Sequence, residues 1–153
     1  MSDATKELRG DRPLRVLLLL YLGASLLHFS HNAAYLGNYP NLPPWISRFS
    51  IYLVWLGITA VGCLGYLLYR RRETFTGLAI LGLYAGCGLG ALLHYTRAPI
   101  SAHSVVMNFT ILFEAATAAA LLTVVVITGT HRRRLERITP AQRLRQSPKA
   151  ENV

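Results

Sequence analysis

Residues 102–130 read AHSVVMNFTILFEAATAAALLTVVVITGT, and this stretch decides the fold. It holds one acidic residue, Glu114, and neither lysine nor arginine. A helix needs about 20 mostly apolar residues to cross the hydrocarbon core of a bilayer. The length and apolar character of the stretch therefore predict a transmembrane helix.

Three earlier stretches have the same character. Together with the first they give four predicted spans, at residues 14–36, 45–69, 75–95 and 102–130. The connections between the spans are short, and Ser101 in the last connection is a candidate N-cap for the fourth helix. The sequence thus predicts an all-α membrane protein, a four-transmembrane-helix bundle.

The composition agrees with a membrane protein. Charged residues make up 15% of the chain, whereas soluble domains carry roughly 25%. Cys63 and Cys87 both lie in apolar stretches, and no CxxC motif is present. The disulfide framework of a small secreted protein is therefore excluded.

The chain divides into three parts. Residues 14–130 are the predicted transmembrane domain, residues 1–13 a basic N-terminal segment, and residues 131–153 a basic tail. The tail carries Thr139-Pro140-Ala141-Gln142, which is typical of the start of a short helix, and its last residues, SPKAENV, are predicted to be disordered. Arginines clustered beside a membrane helix attract anionic lipids, so we expect the tail to bind them.

The basic residues predict the orientation of the spans. Of the 16 lysines and arginines, all but Arg48 and Arg97 lie before or at the start of the first span, in the second connection or after the fourth span. Loops rich in lysine and arginine stay in the cytoplasm. Both termini are therefore predicted to be cytoplasmic, in the cell membrane of any source and the inner membrane of a bacterium. The same rule accounts for the net charge of +9 without a nucleic-acid partner.

A cleaved signal peptide is an alternative interpretation of the first span. Residues 16–27 are a short apolar run behind a basic start, as in such peptides. No small-x-small cleavage site follows the run, however, and polar residues continue beyond it at helical spacing. We therefore expect the span to be retained.

Polar and small side chains recur at spacings of three and four residues, which places them on one face of each helix. Because exposing polar groups to lipid is unfavourable, we expect these faces to turn inward. Packing between helices is the alternative role for the Tyr, Thr and Ser members. The faces are Tyr21, Ser25, His28, Asn32 and Tyr35; Tyr52, Trp55, Thr59, Cys63 and Tyr66; Cys87, Gly90, Ala91 and His94; and His103, Met107, Thr110, Glu114 and Thr117.

Glycines of the third span predict close helix packing. Gly82, Gly86 and Gly90 recur every four residues, a pattern that lets helix backbones approach each other. We expect this face to be packed. We assign no role to Gly88, and we expect Leu81 to face lipid.

Four histidines are predicted to gather near the outer surface. His28 and His31 lie in the outer third of the first span, His94 at the outer end of the third, and His103 in the first turn of the fourth. Glu114, the only acidic residue in any span, lies deeper. Ionisable groups inside a membrane are hypotheses of function by default.

The types of these residues suggest a cofactor or proton site. His28, His31, His94 and His103 are candidate cofactor ligands, because imidazole binds zinc and copper and can hold haem axially. Met107 would add a soft ligand to a copper site formed with His28, His94 and His103. Glu114 is a candidate proton relay. The alternative role for the histidines is hydrogen bonding between helices.

Three functions follow from these features. The first is a metal- or haem-binding redox protein with its site in the outer half. The second is a noncatalytic accessory or assembly subunit that docks on a membrane-protein partner, or on a second copy of the chain. The third is a small membrane enzyme for a lipophilic substrate, in which Glu114 and a histidine act as acid and base. In addition, the loop at residues 37–44 either caps the site or anchors the chain through Tyr39 and Trp45.

Overall fold

A computed structural model describes the backbone of residues 12–146 and the side chains of residues 12–134. Most of the predicted N-terminal segment, and the end of the tail predicted to be disordered, lie outside these residues. The described part consists of helices, turns and loops, with no strand among them. The predicted all-helical class is confirmed for this part.

Within residues 12–146, the bundle has five α-helices. α1 is Arg12–Ala34, α2 is Arg48–Arg70, α3 is Thr74–Leu89, α4 is His94–Arg97 and α5 is Val105–Gln146. Short 3-10 turns lie at Leu36–Asn38, Gly90–Leu93 and Ile100–Ala102. We call the end of the bundle that carries the loops at 35–47 and 98–104 the histidine end. The opposite end, where α2 and α3 are joined, is the arginine end.

In the part of the chain that the structure describes, four segments are long and apolar enough to cross a membrane. They are Arg12–Ala34, Arg48–Arg70, Thr74–Arg97 and Val105–Arg134. Between 11% and 39% of each apolar window is buried inside the bundle. The remaining apolar surface faces outward, which is the reverse of what a water-exposed bundle would show.

Hydrogen-bonding side chains set two helix starts later than the sequence predicted. Ser47 caps α2, because its Oγ accepts a bond from the Ser50 backbone N–H at 3.1 Å, so Trp45 lies in the loop. Ser104, and not Ser101, caps α5 through the Met107 backbone N–H at 3.2 Å. His103 therefore precedes the fourth long helix in extended conformation and is not in its first turn.

The last helix is longer than the predicted span. α5 has 42 residues, or about 63 Å at 1.5 Å per residue, roughly twice the thickness of a bilayer core. It runs without a break through residues 139–142, where the sequence suggested a new helix start. The basic segment is thus, as far as Gln146, a continuation of the fourth long helix.

The core lies between α1, α3 and α5. Tyr21 of α1 is fully buried, and its hydroxyl donates to the Tyr84 carbonyl of α3 at 3.2 Å. Leu81 of α3 and Leu121 of α5 are fully buried in the same cluster. The expectation that Leu81 faces lipid was wrong, because α3 has α2 on one side and α5 on the other.

The close helix contacts use other glycines than predicted. A Cβ added to Gly86 or Gly90 would meet nothing within 4 Å. A Cβ on Gly88 would lie 2.5 Å from the Tyr21 ring, and one on Gly62 2.8 Å from the Tyr84 ring. The four-residue glycine pattern therefore marked the wrong face of α3, and Gly88, to which we gave no role, makes a tight contact with Tyr21 of α1.

The predicted inward faces are only partly correct. On α1 and α5 they mostly hold, with His28, Thr110 and Glu114 each about 2% exposed, whereas Tyr35 at the end of the first face is 53% exposed. On α2 the buried residues are instead Ile51, Gly62, Gly65 and Tyr69. Cys63 and Cys87 are both exposed. The face of α2 differs because its glycines allow α3 to pack against the side without polar groups.

Candidate functional site

Five elements bring the polar side chains of the histidine end together. α1 supplies His28 and Asn32, α5 supplies Thr110 and Glu114, and His94 stands at the start of α4. The remaining members come from the two loops at this end. We call the group formed by His28, Asn32, His94, Thr110 and Glu114, together with Tyr39 and His103, the polar cluster.

His28 has a defined hydrogen-bonding pattern. Its Nδ1 lies 3.4 Å from Thr110 Oγ1, and that hydroxyl donates to the Met107 carbonyl at 3.0 Å. Because the hydroxyl proton is used, the hydroxyl oxygen accepts, so Nδ1 of His28 carries the proton. His28 Nε2 is then the basic nitrogen, and it accepts from Asn32 Nδ2 at 3.1 Å.

Asn32 joins two histidines. Its Nδ2 lies 3.1 Å from His28 Nε2 and 3.4 Å from His94 Nε2, so its two N–H groups serve both rings. The two rings are in edge-to-face contact, with centroids 5.3 Å apart. The Asn32 Oδ1 atom is buried and has no hydrogen-bond partner. The Asn32 amide nitrogen therefore donates to Nε2 of both histidines, while the amide oxygen is left without a donor.

Glu114 of α5 lies deeper in the bundle than the histidines and contacts the cluster from the side of the arginine end. Its Oε2 lies 3.8 Å from His28 Nε2, and both side chains are 3% exposed. Oε2 is buried and makes no hydrogen bond in the described part of the chain. The separation is longer than a hydrogen bond, so a small side-chain shift or one water molecule would connect the two groups.

Tyr39 brings the first loop into the cluster. Only 4% of the residue is exposed, its ring lies 5.1 Å from that of His94, and its hydroxyl is 2.8 Å from His31 Nδ1. Burial raises the pKa of the Tyr39 hydroxyl to about 12, with a hydrogen bond to Thr110 acting in the opposite direction. The hydroxyl is thus protonated at neutral pH and can act as a hydrogen-bond donor in the cluster.

His103 has one nitrogen in use and one unpaired. Its Nδ1 donates to the Pro99 carbonyl at 3.1 Å, which leaves Nε2 as the basic nitrogen. Nε2 is buried and has no hydrogen-bond partner. The ring contacts His94, with 6.2 Å between centroids, and Tyr95, with 5.4 Å.

Hydrogen bonds between loops close the histidine end. Asn41 adopts a left-handed backbone conformation with φ of 56°, and its Nδ2 donates to the Arg97 carbonyl at 2.9 Å. Asn108 accepts from the Tyr95 hydroxyl and donates to the Ile100 carbonyl. The first loop therefore lies over the cluster as a cap, the role that the sequence offered beside membrane anchoring. Trp45, which is 75% exposed, is left free for the anchoring role.

The structure brings together most of the predicted site residues. His28, His94 and His103 form a row of touching rings, and His31 joins it through Tyr39. Met107 packs instead in a small apolar cluster with Tyr39, Ala91 and Ile111. Among residues 12–134, no three or more His, Cys, Asp or Glu side chains are grouped so that they could hold a metal ion. Whether the histidines bind a cofactor stays a prediction.

Sequence reasoning missed the role of Tyr39. It treated Tyr39 as an aromatic residue of the membrane interface, because proline and tyrosine in a short loop indicate a surface position. The inward turn depends on contacts with His31 and His94, which are distant from one another in the sequence. Asn108 was missed as well, and its spacing from the predicted polar face of the fourth span gave no signal.

Comparisons with known proteins add no assignment. Neither the family models, the curated proteins nor the solved structures that were searched contain a match to this chain.

Proposed function

We propose that the chain is a multi-pass protein of the cell membrane, the inner membrane in a bacterium, with both termini cytoplasmic. Most of the apolar windows of its four long segments are not buried in the bundle, and apolar surface of that extent needs a lipid solvent. Among residues 12–146, Arg48 and Arg97 are the only arginines or lysines at the histidine end. The positive-inside rule then directs the histidine end outward.

We infer further that the polar cluster is a proton-transfer site in which Glu114 and His28 exchange a proton. The observation that carries this is the buried Glu114 Oε2, which lies 3.8 Å from His28 Nε2 with no other partner in the described chain. One proton shared by the pair gives two states without net charge: both groups neutral, or a carboxylate beside an imidazolium. Neither state leaves an unpaired charge in the apolar bundle, which would be very unfavourable.

The neighbours of the pair support the exchange. When the proton moves, the O–H bond of Glu114 breaks and an N–H bond forms at His28 Nε2. Nε2 then becomes a donor and can no longer accept from Asn32 Nδ2. Rotation of the Asn32 amide presents Oδ1 in its place, and this oxygen is buried and unpaired. The same rotation changes the partner of His94, so the two histidines would respond to each other.

The activity class that would use such a centre is acid–base catalysis by a small membrane enzyme on a lipophilic substrate. Glu114 and His28 would be the proton-transferring groups, and Asn32 a positioning residue. His94 and His103 extend the row of rings toward the outer surface, which suits proton exchange with water there.

Infrared spectroscopy of the protein in lipid nanodiscs tests this proposal. We expect a carbonyl band from a protonated carboxylic acid that changes with pH in the wild type. Glu114→Gln should remove the band, because it replaces the only acidic residue in the spans. His28→Gln should leave the band but shift the pH at which it titrates, because the Glu114 proton has lost its acceptor.

Glu73→Gln is the matched control, since Glu73 is an exposed acidic residue at the arginine end. It should leave the band and its titration unchanged. A band that persists in Glu114→Gln, or a titration identical in the wild type and His28→Gln, would rule out the exchange.

A metal- or haem-binding redox protein is the second candidate. The unpaired, buried Nε2 of His103, next to the His94 ring, favours it, because such a nitrogen is available to a ligand. Elemental analysis and an absorption spectrum of protein purified in mild detergent separate the two candidates. Stoichiometric metal or haem that is lost in His103→Ala supports the redox role. If neither cofactor nor a titrating Glu114 is found, the accessory-subunit role becomes the better explanation.

A further inference from the structure

A slot lies between α1 and α2, and none of the residues that line it belongs to the polar cluster. Its cavity has a volume of about 250 Å³. Most of its wall is apolar, with Arg15 at one end and Thr59 at the other. The lining residues are Arg15, Leu18, Leu19 and Leu22 of α1, Thr59, Gly62, Cys63 and Tyr66 of α2, and Tyr84 of α3.

The slot runs along the helices. Its lining covers eight residues on each helix, from Arg15 to Leu22 and from Thr59 to Tyr66, which is about 10 Å of helix length. An apolar slot of that length, parallel to the helix axes, suits a hydrocarbon chain that lies alongside the helices.

The slot has a closed inner wall and an open side. The Tyr84 ring forms its inner wall, because Gly62 lets that ring approach the α2 backbone to where a Cβ would stand. On the open side, Leu19 is 70% exposed and Cys63 is exposed. The slot is therefore closed toward the core and open sideways, in the direction of the proposed lipid.

Charge and polarity differ between the ends of the slot. Arg15 stands at the arginine end, the same end that carries Arg70, Arg71 and Arg72. At the other end, Thr59 Oγ1 is a buried hydroxyl without a hydrogen-bond partner in the described chain. A guanidinium binds phosphate oxygens well. Charge complementarity therefore selects an amphiphile with an anionic head at Arg15 and an apolar chain along the slot.

We propose that this slot binds one acyl chain of an anionic phospholipid of the cytoplasmic leaflet, with the lipid phosphate on Arg15. The proposal rests on the membrane placement proposed above but not on proton transfer. It differs from the expected attraction of anionic lipids by the basic tail, because it concerns a single chain held between two helices.

Native mass spectrometry of the full chain with added lipid tests the slot. The probes are phosphatidylglycerol, which is anionic, and phosphatidylcholine of the same chain length, which is zwitterionic. We expect the wild type to retain phosphatidylglycerol in preference to phosphatidylcholine. Arg15→Gln should reduce that preference about fivefold, the loss expected for one charge near a membrane surface.

Two further variants make the test specific. Cys63→Trp should lower retention of both lipids, because a ring at this exposed lining position fills the slot without entering the core. Arg12→Gln is the matched control, since Arg12 is an exposed arginine one turn earlier that does not line the slot. It should retain lipid like the wild type.

Several outcomes overturn the proposal. Equal losses in Arg12→Gln and Arg15→Gln would indicate general surface attraction, and full retention in Cys63→Trp would place the chain elsewhere. Extraction of the protein from membranes by alkaline carbonate would contradict the membrane placement itself. An intact membrane protein with no lipid preference would contradict only the slot. The Glu114 infrared band, which should be unchanged in Arg15→Gln, reports separately on the proton-transfer site.

Discussion

At the scale of single residues, the polar cluster depends on which groups are left without partners. Glu114 Oε2, Asn32 Oδ1 and His103 Nε2 are all buried and unpaired within the described chain. Most buried polar atoms in proteins have hydrogen-bond partners, so each exception needs an explanation. Three such atoms in one cluster support the proposed proton-transfer site, because each of them is available to a proton, a water molecule or a ligand.

The Tyr39 hydroxyl gives a prediction for this scale. Burial raises its pKa from 10.0 to about 12, so the fold favours the protonated form. Its contribution to stability is therefore complete below pH 10 and is lost as the pH rises through about 12. The difference in tyrosinate absorbance between the wild type and Tyr39→Phe should titrate near the higher value.

The exposed Tyr52 provides the control for removing one tyrosine. Tyr52→Phe should leave the high-pH component of the absorbance titration in place. A wild type minus Tyr39→Phe difference that titrates near pH 10 would show that Tyr39 is not buried beneath the loop.

Part of the cluster was predictable from the sequence at this scale. The spacing of His28, Thr110 and Glu114 placed them correctly on inward faces, because ionisable and polar groups in an apolar helix have few other places to go. Tyr39 and His103 were not predictable in the same way. Both lie in irregular loops, whose conformation depends on contacts between distant residues and on caps such as Ser104.

At the scale of elements, the packing of two helices depends on the residues at their point of contact. The glycine spacing in the sequence did not identify those residues. Gly82, Gly86 and Gly90 have the expected spacing, yet only Gly82 has any neighbour within 4 Å of its added Cβ. Gly88 has no such spacing, but its missing side chain is what allows Tyr21 to reach the Tyr84 carbonyl. A small residue permits a close approach without requiring one.

Alanine substitutions test this difference with one methyl group each. Gly88→Ala should destabilise the bundle by about 1–3 kcal/mol, because the added Cβ would overlap the buried Tyr21 ring and the core would have to shift. Gly86→Ala should be neutral or slightly stabilising, because its Cβ enters open space and alanine favours the helix. Thermal unfolding in detergent measures both variants, and equal melting temperatures would contradict the packing described for α1 and α3.

At the scale of the whole molecule, the two ends of the bundle have different chemistry. The histidine end carries the polar cluster and its cap, whereas the arginine end carries Arg70, Arg71 and Arg72 and the basic extension of α5. The four-helix architecture was predictable because the length of apolar segments is imposed by the bilayer and does not depend on tertiary contacts. The faces that α2 and α3 present to each other do depend on tertiary contacts. The lengths of the apolar segments therefore could not predict them.

The orientation of the two ends in the membrane can be tested by cysteine labelling. Single cysteines are introduced into a chain whose native cysteines are removed by Cys63→Ser and Cys87→Ser. Pro44→Cys lies in the exposed loop at the histidine end, and Arg71→Cys in the exposed connection at the arginine end. A membrane-impermeant maleimide should label position 44 in intact cells and position 71 only after the cells are opened, because cationic connections stay in the cytoplasm. Labelling of position 71 in intact cells would show that the protein has the opposite orientation in the membrane. The polar cluster would then exchange protons with the cytoplasm, and Arg15 would face the lipids of the opposite leaflet.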